Sequence, residues 1–499
     1  MASIELRGIT KRFGEVTAND DVSLTVESGE ILALLGENGS GKTTLMNMLS
    51  GIYRPDSGAV YINGEKVVIK TPEDSRRLGI GMIHQHFKLV DAFTAADNIA
   101  LGSKSGAFFL TDKRFNGAEE IGAKYGLMLN TRKYVSDMSV GEKQTLEIIK
   151  ALLLGARILI LDEPTAVLTP QEAAKLFGIL REMKKDGCAI IIITHKLAEV
   201  LEISDRVTVL RKGKSVATVN TPDADASVLT ELMVGRKTEL SIPREETAPG
   251  KNLLSVYKLS ADSADGVEVL TDLTLELSSG EVLGVAGIAG SGQKELCECI
   301  AGLHPVKKGA ILFEGENIER KTPRELIKSG ISMSFIPEDR LGMGLAASLG
   351  IADNMMLKNY HAARGIFTDR RKAARDASNA IDSLSISAPG INIPVRKLSG
   401  GNVQKVLLGR EIAANPKVLI TAYPVRGLDI NSSFTIYAKI SELKRAGAGI
   451  LFIGEDLDVM IELCDRIVVL SRGMKAVTVG AKDVTKEQLG LLMMGESND

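Results

Sequence analysis

The chain contains the same sequence twice. The run SGEILALLGENGSGKTTL, which begins at Ser28, recurs as SGEVLGVAGIAGSGQKEL from Ser279, 251 positions further on. The run SDRVTVLRKGK from Ser204 recurs as CDRIVVLSRGM from Cys464, 260 positions further on. Because 499 residues exceed what one hydrophobic core usually organises, a repeat of this length predicts two domains of the same fold.

A polar segment separates the two copies. It reads RKTELSIPREETAPGKN from Arg236, and its two prolines and its lack of an apolar period are typical of a linker. We therefore predict a first domain over residues 1–240, a linker over 241–251 and a second domain over 252–499.

Each copy has the pattern of an α/β domain. Short apolar runs, such as 31–35 and 189–194, alternate with segments of helical period, which indicates buried parallel strands joined by helices. After the first glycine-rich loop of each copy, apolar residues recur at the spacing of one helix face, so we predict a helix there. These residues are Leu45, Met48, Leu49 and Ile52, and then Leu296, Cys299, Ile300 and Leu303.

Composition limits the possible partners. The formal net charge of −2 gives no basic field, so nucleic acid is not the expected partner. The longest apolar runs are far shorter than a membrane span, so we expect no direct membrane insertion, and any membrane role must come through partner subunits. No two of the four cysteines form a Cys-x-x-Cys pair, which favours buried, reduced thiols and a cytosolic setting.

A glycine-rich motif follows the first apolar run. Residues 36–43, GENGSGKT, fit the pattern G-x-x-x-x-G-K-[ST] between a predicted strand and a predicted helix. Its glycines let backbone N–H groups face phosphates, Lys42 is placed to reach the β and γ oxygens, and the Thr43 hydroxyl is placed to hold Mg²⁺. We therefore expect ATP and Mg²⁺ as cofactors.

Two adjacent carboxylates end a later apolar run. Asp162 and Glu163 directly follow residues 158–161, at the edge of the sheet where α/β proteins bind ligands. One carboxylate can organise Mg²⁺, and the other can polarise a water molecule for attack on the γ-phosphate. The alternative is an acidic pair on the surface, which the preceding apolar strand argues against.

A further glycine motif lies between these elements in each copy. It reads LSGGNVQ from Leu398 in the second copy and MSVGEKQ from Met138 in the first. In chain order, a phosphate loop, a glutamine loop, this signature, paired carboxylates, a D-loop and a switch histidine resemble the motifs of ABC ATPases. The resemblance covers essentially the whole chain, twice. It implies two α/β domains, each with a mixed sheet and a helical signature subdomain, that close head to tail on nucleotide.

The resemblance also implies roles for individual side chains. Phe13 resembles the aromatic residue that stacks on adenine, and Gln85 resembles the residue that links γ-phosphate and Mg²⁺ to a permease. Asp162 is similar to the Mg²⁺ ligand, Glu163 to the catalytic base and His195 to the switch histidine. A core aromatic for Phe13 and a hydrogen-bonded core histidine for His195 remain the alternatives. The residues that the resemblance places on nucleotide are Phe13, Gly36, Asn38, Gly39, Ser40, Gly41, Lys42, Thr43, Thr44, Ser399, Gly400, Gly401, Gln404 and Asp429.

The second copy departs from this pattern at the reactive positions. The changes remove the metal ligand, the base and the contact with the γ-phosphate together. The first-copy residues are Lys42, Thr43, Asp162, Glu163 and His195, and their counterparts, in the same order, are Gln293, Lys294, Ala422, Tyr423 and Glu455.

The intact motifs would all belong to one nucleotide site of a head-to-tail pair, and the altered motifs to the other. In a head-to-tail pair, the intact first phosphate loop faces the intact second signature, whereas the altered second loop faces the altered SVG signature of the first copy. The D-loop aspartate is retained as Asp429 in the second copy, where the first copy has Thr169. We therefore predict one competent ATP site and one degenerate site.

Two classes of function remain for a fused tandem ABC chain. One class energises importers of sugars and nucleosides, and the other comprises soluble factors that act on ribosomes or nucleic acid and usually keep both ATP sites. The degenerate site and the unremarkable linker favour the importer. The segments DEPTAVLTP, MIHQHF and FIPEDR, which begin at Asp162, Met82 and Phe335, are similar to the ATP-binding subunits of bacterial nucleoside and monosaccharide importers. The histidines on either side of Gln85 favour a nucleoside, with a ribose- or galactose-type sugar as the alternative.

This interpretation predicts an ATP hydrolase coupled to transport, at the cytoplasmic face of the cell membrane. We expect two integral-membrane permease subunits as direct partners and an extracytoplasmic solute-binding protein as an indirect one. The permeases are expected to dock near Gln85 and the segment 338–340, for which a plain solvated charge run is the alternative.

Overall fold

The structure, a computed structural model, describes most of the chain. The described residues are 3–85, 87–101, 112–166, 168–235, 242, 250–263, 265–288, 290–335, 344–358, 370–426, 428–454, 456–471 and 476–495, without the side chains of 112–116 and 332–335. The predicted positions His86, 338–340 and Glu455 lie outside these residues. The chain divides into two compact units, Met1–Glu239 and Leu240–Asp499.

The first unit contains two sheets. Its strands are β1 (Ile4–Phe13), β2 (Val16–Val26), β3 (Ile31–Leu35), β4 (Ser57–Ile62), β5 (Glu65–Val67), β6 (Ile80–Ile83), β7 (Ile158–Asp162), β8 (Ala189–Thr194), β9 (Arg206–Arg211) and β10 (Lys214–Asn220). One sheet is antiparallel with the order β2-β1-β4-β5, and the other has the order β10-β9-β3-β8-β7-β6. In the second sheet every described pairing is parallel except that of β9 with β10, which confirms the predicted mixed sheet.

Helices of the first unit flank these sheets. They are α1 (Lys42–Leu49), α2 (Pro72–Arg77), α3 (Ala95–Leu101), α4 (Asp112–Tyr125), α5 (Val140–Leu153), α6 (Pro170–Lys185), α7 (Leu197–Ile203) and α8 (Ala226–Val234), with 3₁₀ helices at Val135–Asp137 and Thr221–Asp223. The strands in the middle of the large sheet are buried on both faces. Along β8, Ile190 belongs to the core that contains Phe177 of α6, and Ile191 belongs to the core that contains Leu45 of α1. Such strands have continuous apolar sequences because both faces are covered by other elements.

The second unit has the same organisation. Its strands are β11 (Asn252–Asp262), β12 (Glu268–Ser278), β13 (Val282–Gly287), β14 (Lys308–Phe313), β15 (Glu316–Asn317), β16 (Ile331–Phe335), β17 (Val418–Ala422), β18 (Gly449–Ile453), β19 (Arg466–Leu470) and β20 (Val477–Gly480). Its helices are α9 (Gln293–Ile300), α10 (Pro323–Ser329), α11 (Ile351–Met356), α12 (Arg370–Ser383), α13 (Gly400–Ala413), α14 (Ile430–Arg445), α15 (Leu457–Leu463) and α16 (Lys486–Met494), with a 3₁₀ helix at Val395–Lys397. The sheet orders are β12-β11-β14-β15 and β16-β17-β18-β13-β19-β20, so the repeat seen in the sequence is a repeat of topology. No helix in the described ranges is both long enough and apolar enough to cross a membrane.

An ionic network near the start of β3 recurs in the second unit. The backbone N–H of Ile31 donates to the Asp205 carboxylate at 2.9 Å, and the Lys184 ammonium lies 2.5 Å from the other oxygen of that carboxylate. The same contacts measure 2.9 and 2.8 Å in the second unit, where they join Val282, Asp465 and Lys444. This part of the scaffold is therefore retained in both units.

Two details of the predicted helices are wrong. Helix α1 ends at Leu49 and helix α9 ends at Ile300, so Ile52 and Leu303 follow the helices instead of extending their buried faces. Both side chains are exposed, at 49% and 56%. Gly51, with a φ of 77°, turns the chain before Ile52, and Gly302, with a φ of 68°, does the same before Leu303. A left-handed glycine after the last turn commonly ends a helix.

The cysteines agree with the prediction. Cys188, Cys297, Cys299 and Cys464 are buried thiols. Burial raises the pKa of Cys299 to about 12, and it also raises the pKa of Cys297. These thiols are therefore neutral core groups with little thiolate at neutral pH.

The predicted linker contributes to the second unit. Of residues 241–251 the structure describes 242, 250 and 251. Ile242 is buried and belongs to the hydrophobic core that contains Ile436 and Leu489. This one apolar side chain therefore packs into the domain that follows.

Candidate functional site

The first glycine-rich loop joins β3 to α1 in a conformation that needs glycine. Gly39 and Gly41 have left-handed φ values of 79° and 99°. A Cβ atom on Gly41 would lie 2.3 Å from the Ala18 carbonyl oxygen, and one on Gly36 would lie 2.3 Å from the Leu210 carbonyl oxygen. The loop therefore excludes side chains at these two positions and keeps its backbone close to its neighbours.

Lys42 is held by the loop itself. Its Nζ donates to the carbonyl oxygens of Gly36 at 2.5 Å and Glu37 at 2.9 Å, and its side chain is buried. Burial lowers the pKa of Lys42, while the nearby carboxylates of Glu163 and Asp162 act to raise it. A buried ammonium in a loop of turned backbone N–H groups is suited to polyphosphate.

A buried hydroxyl in this loop fits the same ligand. The Ser40 side chain is buried, and its Oγ has no hydrogen-bond partner among the described residues. Leaving a buried hydroxyl unsatisfied costs about 1–3 kcal/mol, so a phosphate oxygen at the loop would remove that penalty. Asn38, Gly39, Thr43 and Thr44 are exposed or half-buried around it. The loop residues therefore fit a nucleotide triphosphate.

Asp162 and Thr43 form the predicted metal position. Asp162 is the last residue of β7, and its carboxylate accepts a hydrogen bond from the Thr43 side chain. Burial, reinforced by the neighbouring Glu163, raises the pKa of Asp162 to about 6. The described residues contain no group of three or more His, Cys, Asp and Glu side chains that could hold a metal by themselves. However, Mg²⁺ is usually bound by oxygen ligands from one or two protein side chains together with substrate phosphates, so the Asp162 carboxylate and the Thr43 hydroxyl fit that ion.

Glu163 brings together the three predicted catalytic side chains. Its Oε2 accepts a hydrogen bond from Gln85 Nε2 at 2.9 Å, and its Oε1 lies 3.0 Å from His195 Nδ1. Burial acts to raise the pKa of Glu163, but the hydrogen bond and charge of His195, together with Lys42, outweigh it and lower that pKa. Glu163 is therefore ionised at neutral pH, as a general base requires. The His195 side chain is 44% exposed, so the core-histidine alternative is wrong.

Phe13 lies on the surface at the end of β1. Its side chain is 43% exposed and packs edge-to-face against Tyr53, with ring centroids 5.2 Å apart. Lys11 Nζ lies 5.5 Å from the centroid of the same ring. The core-aromatic alternative is therefore wrong, and an exposed ring with a neighbouring cation can stack on a base.

The two signature helices begin differently. Ser139 Oγ accepts the Glu142 N–H at 3.2 Å, and Glu142 accepts the Ser139 N–H at 2.7 Å, so the start of α5 is capped by its own side chains. Ser399 makes no such cap on α13, and its Oγ instead accepts a 2.8 Å bond from Asn402 Nδ2. Ser399 and Gly400 are exposed. The first turn of α13 therefore presents N–H groups that Ser399 leaves uncapped, as an anion site needs.

Two predicted nucleotide contacts have structural roles here. Gln404 has no exposed surface, and its Nε2 donates to the carbonyl oxygens of Tyr423 and Pro424, so its contact with nucleotide stays a prediction. The first unit has the equivalent bond, from Gln144 to Pro164. Asp429 caps α14 by accepting the Ser432 N–H at 2.8 Å, and its role at nucleotide stays a prediction.

One positioning residue was missed by the sequence reasoning. Asn19 is fully buried, and its Nδ2 donates to the Gly41 carbonyl oxygen at 3.2 Å, which ties β2 to the phosphate loop. No motif marks Asn19, because the contact joins residues of two elements that only the folded sheet brings together.

The second unit has the same turn at the end of its strand β17 but lacks the two carboxylates. Ala422 ends β17, and Tyr423 follows with a left-handed φ of 52°, compared with 47° at Glu163. The Tyr423 side chain packs against the hydrophobic core. Neither residue can supply the carboxylates of the first unit.

These features define a class of protein. Two copies of a mixed sheet, each with a glycine-rich loop before a helix, constitute a tandem P-loop ATPase in which the first copy carries a pair of carboxylates at the strand end. Residues 19–166 and 270–424 match the family model described as ABC transporter, and the chain belongs to that family.

Similar relatives cover the whole chain. The guanosine import ATP-binding protein NupO of Bacillus subtilis (strain 168) is 41% identical over 99% of this chain and 98% of its own length. The nucleoside import ATP-binding protein NupA of Lactococcus lactis subsp. cremoris is 39% identical, and the ribose import ATP-binding protein RbsA 1 of Rubrobacter xylanophilus is 40% identical, each over 99% of this chain and 98% of the relative. The solved structure of an RNase-L inhibitor aligns with a TM-score of 0.65 at 17% identity over 98% of this chain and 93% of that one, which shows a shared fold alone.

Proposed function

We propose that this chain is the ATP-hydrolysing subunit of a nucleoside importer and acts at the cytoplasmic face of the membrane on two permease subunits. A separate extracytoplasmic protein would deliver the solute to them. The observation that carries the enzymatic part of the proposal is the contact of Glu163 with both Gln85 and His195, beside the buried Lys42. The names of the relatives support the transport part.

The first unit's residues account for hydrolysis. Lys42 and the loop N–H groups bind the phosphates of ATP, and the Glu163 carboxylate accepts a proton from the attacking water. His195 and Gln85 orient that carboxylate through their contacts with it. Mg²⁺, held by Thr43 and Asp162, would neutralise charge on the phosphates. Loss of the γ-phosphate then removes contacts that favour a closed state.

The competent site is proposed to be completed by the second unit. The uncapped first turn of α13, with Ser399, Gly400 and Gly401, supports a role as the signature that meets the γ-phosphate. The start of α5 is occupied by Ser139 and Glu142, and this supports the degenerate character of the other composite site. Intact and altered parts thus pair as one working site and one altered site.

Nucleosides are the proposed solute class. Two nucleoside-import relatives match at 41% and 39% identity, and the histidines on either side of Gln85 in the sequence also favour this class. The ribose relative at 40% and a galactose relative at 35% make a ribose- or galactose-type monosaccharide the second candidate. Both classes use the same ATPase chemistry, because the permease and the receptor contact the solute.

Uptake by the assembled transporter tests the proposal. The chain would be co-expressed with the two permeases and the receptor that we expect its neighbouring coding regions to supply, and uptake of radiolabelled guanosine, uridine, ribose and galactose would be compared. ATP-dependent nucleoside uptake that is lost with Lys42→Ala is the expected result. Sugar uptake would favour the second candidate. Recovery of the chain with ribosomes, together with no uptake of any solute, would favour the soluble class and contradict the proposal.

A further inference from the structure

We propose that the phosphate loop of the second unit binds nucleotide phosphates without a divalent cation, with Lys294 supplying charge that the first unit takes from Mg²⁺. The inference deepens the proposed function and rests on it for the nature of the ligand. It concerns the loop between β13 and α9.

The described residues of this loop keep the backbone conformation of their counterparts in the competent loop. Gly290 and Gly292 have φ values of 83° and 97°, within a few degrees of Gly39 and Gly41. The Ser291 N–H donates to the Ile288 carbonyl oxygen at 3.1 Å, the same distance as the matching bond from Ser40 to Glu37. The backbone that turns N–H groups toward phosphate is therefore retained although the side chains have changed.

Ser291 provides a second and independent observation. Its side chain is 1% exposed, and its Oγ has no hydrogen-bond partner within the part of the chain that the structure describes. Ser40 has the same property at the matching position of the competent loop. A buried hydroxyl without a partner is costly, and a phosphate oxygen held by the loop would satisfy it.

The charged groups around the two loops differ. In the first unit Lys42 lies among the carboxylates of Glu163, Asp162 and Glu37, so these four groups sum to two negative charges before a triphosphate enters. In the second unit Gln293 is neutral. It makes a contact equivalent to one of Lys42, because its Nε2 donates to the Ile288 carbonyl oxygen at 3.2 Å. A divalent cation offsets repulsion in the first case, whereas Ala422 and Tyr423 leave no carboxylate at the matching positions in the second.

Lys294 stands at the sequence position that matches Thr43. It lies in the first turn of α9, and its side chain is 59% exposed. An ammonium at the place of a metal-binding hydroxyl brings positive charge to the phosphates and disfavours a divalent cation through repulsion between like charges. Both effects point to binding that does not require Mg²⁺.

An ion pair within helix α9 is the competing explanation for a lysine at position 294. Lys294 Nζ lies 3.9 Å from Glu298 Oε1, one helical turn further on. The Lys294 side chain is 59% exposed and that of Glu298 is 14% exposed. An ion pair one helical turn apart contributes only about 0.3–0.5 kcal/mol and is not a reason for a lysine at the loop. Because Glu298 stands where the first copy has Asn47, replacing each partner of the pair in turn separates the two explanations.

Equilibrium binding to the purified full chain tests the inference. Lys42→Ala removes the first site, and a fluorescent ATP analogue is titrated in EDTA and then in Mg²⁺. We expect about one nucleotide bound per chain in EDTA and little change in affinity when Mg²⁺ is added. Lys294→Ala should lower the affinity about tenfold or more, and a tenfold loss corresponds to about 1.4 kcal/mol of binding free energy. Lys294→Arg should retain binding, and Glu298→Gln should bind equally or more tightly. Competition by pyrophosphate shows that the phosphates carry the affinity.

Three results would overturn the inference: no binding in EDTA, binding that depends on Mg²⁺, or an unchanged affinity in Lys294→Ala. If the unsubstituted chain still hydrolyses MgATP and drives uptake, only this inference fails. If it does neither, the proposed function fails whatever the second loop binds. Thermal unfolding of each variant confirms that the changed residue has not disrupted the fold.

Discussion

Glu163 and Tyr423 hold the same left-handed backbone in the two units. The N–H of each donates a 2.8 Å hydrogen bond to a carbonyl oxygen of the neighbouring strand, Ile193 in one unit and Ile453 in the other. Such a φ costs a side chain other than glycine about 1–2 kcal/mol. The second unit therefore has the same strained turn that, in the first unit, carries the proposed catalytic carboxylate of Glu163, although Tyr423 has no carboxylate.

Restoring the carboxylate alone should not restore catalysis. Tyr423→Glu in the Glu163→Gln background should leave ATP turnover at the low rate of the single variant, because Ala422 supplies no metal ligand and Lys294 replaces the metal-binding hydroxyl. Steady-state phosphate release from the assembled transporter checks this. Recovery of a large part of the parental rate would mean that the second loop is competent after all.

Alanine substitutions at the two signature serines should affect different properties, ATP turnover for Ser399 and stability for Ser139. Ser399→Ala should lower ATP turnover with little change in unfolding, because its hydroxyl contacts only Asn402 among the interactions described here. Ser139→Ala removes a capping box and should cost about 1 kcal/mol of stability while leaving turnover near the parental rate. Chemical denaturation and ATPase assays on both variants test the pair. The opposite pattern would contradict the assignment of the working signature to the second unit.

Asp162 should make the nucleotide-free protein less stable as the pH rises. Its pKa is raised from 3.8 to about 6, chiefly by burial, so the folded protein holds a proton that the unfolded chain has lost between these values. Stability from this group is present below about pH 4 and is lost as the pH rises through about 6.

Asp162→Asn should therefore raise the free energy of unfolding at pH 7.5 by on the order of 1–3 kcal/mol in EDTA, with a smaller gain at pH 5. Denaturant titrations at the two pH values measure the difference. A gain that does not depend on pH would show that the Asp162 carboxylate is not held at a raised pKa. Mg²⁺ affinity in the presence of ATP should also fall as the pH drops through about 6.

The sequence predicted those parts of the site that local patterns determine. The phosphate loop, the strand that ends in Asp162 and the helix that follows the loop are each set by neighbouring residues, and the structure has them. The structural role of Gln404 could not be predicted, because its burial depends on where α13 packs against the end of β17, and these residues lie far apart along the chain. Asn19 was missed for the same reason. The antiparallel sheet that presents Phe13 on the surface also depends on long-range pairing.

Hydrolysis is proposed to depend on one carboxylate, that of Glu163 in the first unit. Glu163→Gln keeps the shape of the side chain and its contacts with Gln85 and His195 but loses the charge that accepts a proton from water. Steady-state ATPase of the chain assembled with its permeases should fall by about 10²–10⁴. ATP binding should remain near the parental affinity, and the matched control Tyr423→Phe should hydrolyse ATP at the parental rate. If Glu163→Gln kept half of the parental turnover, the assignment of catalysis to the first unit would be wrong.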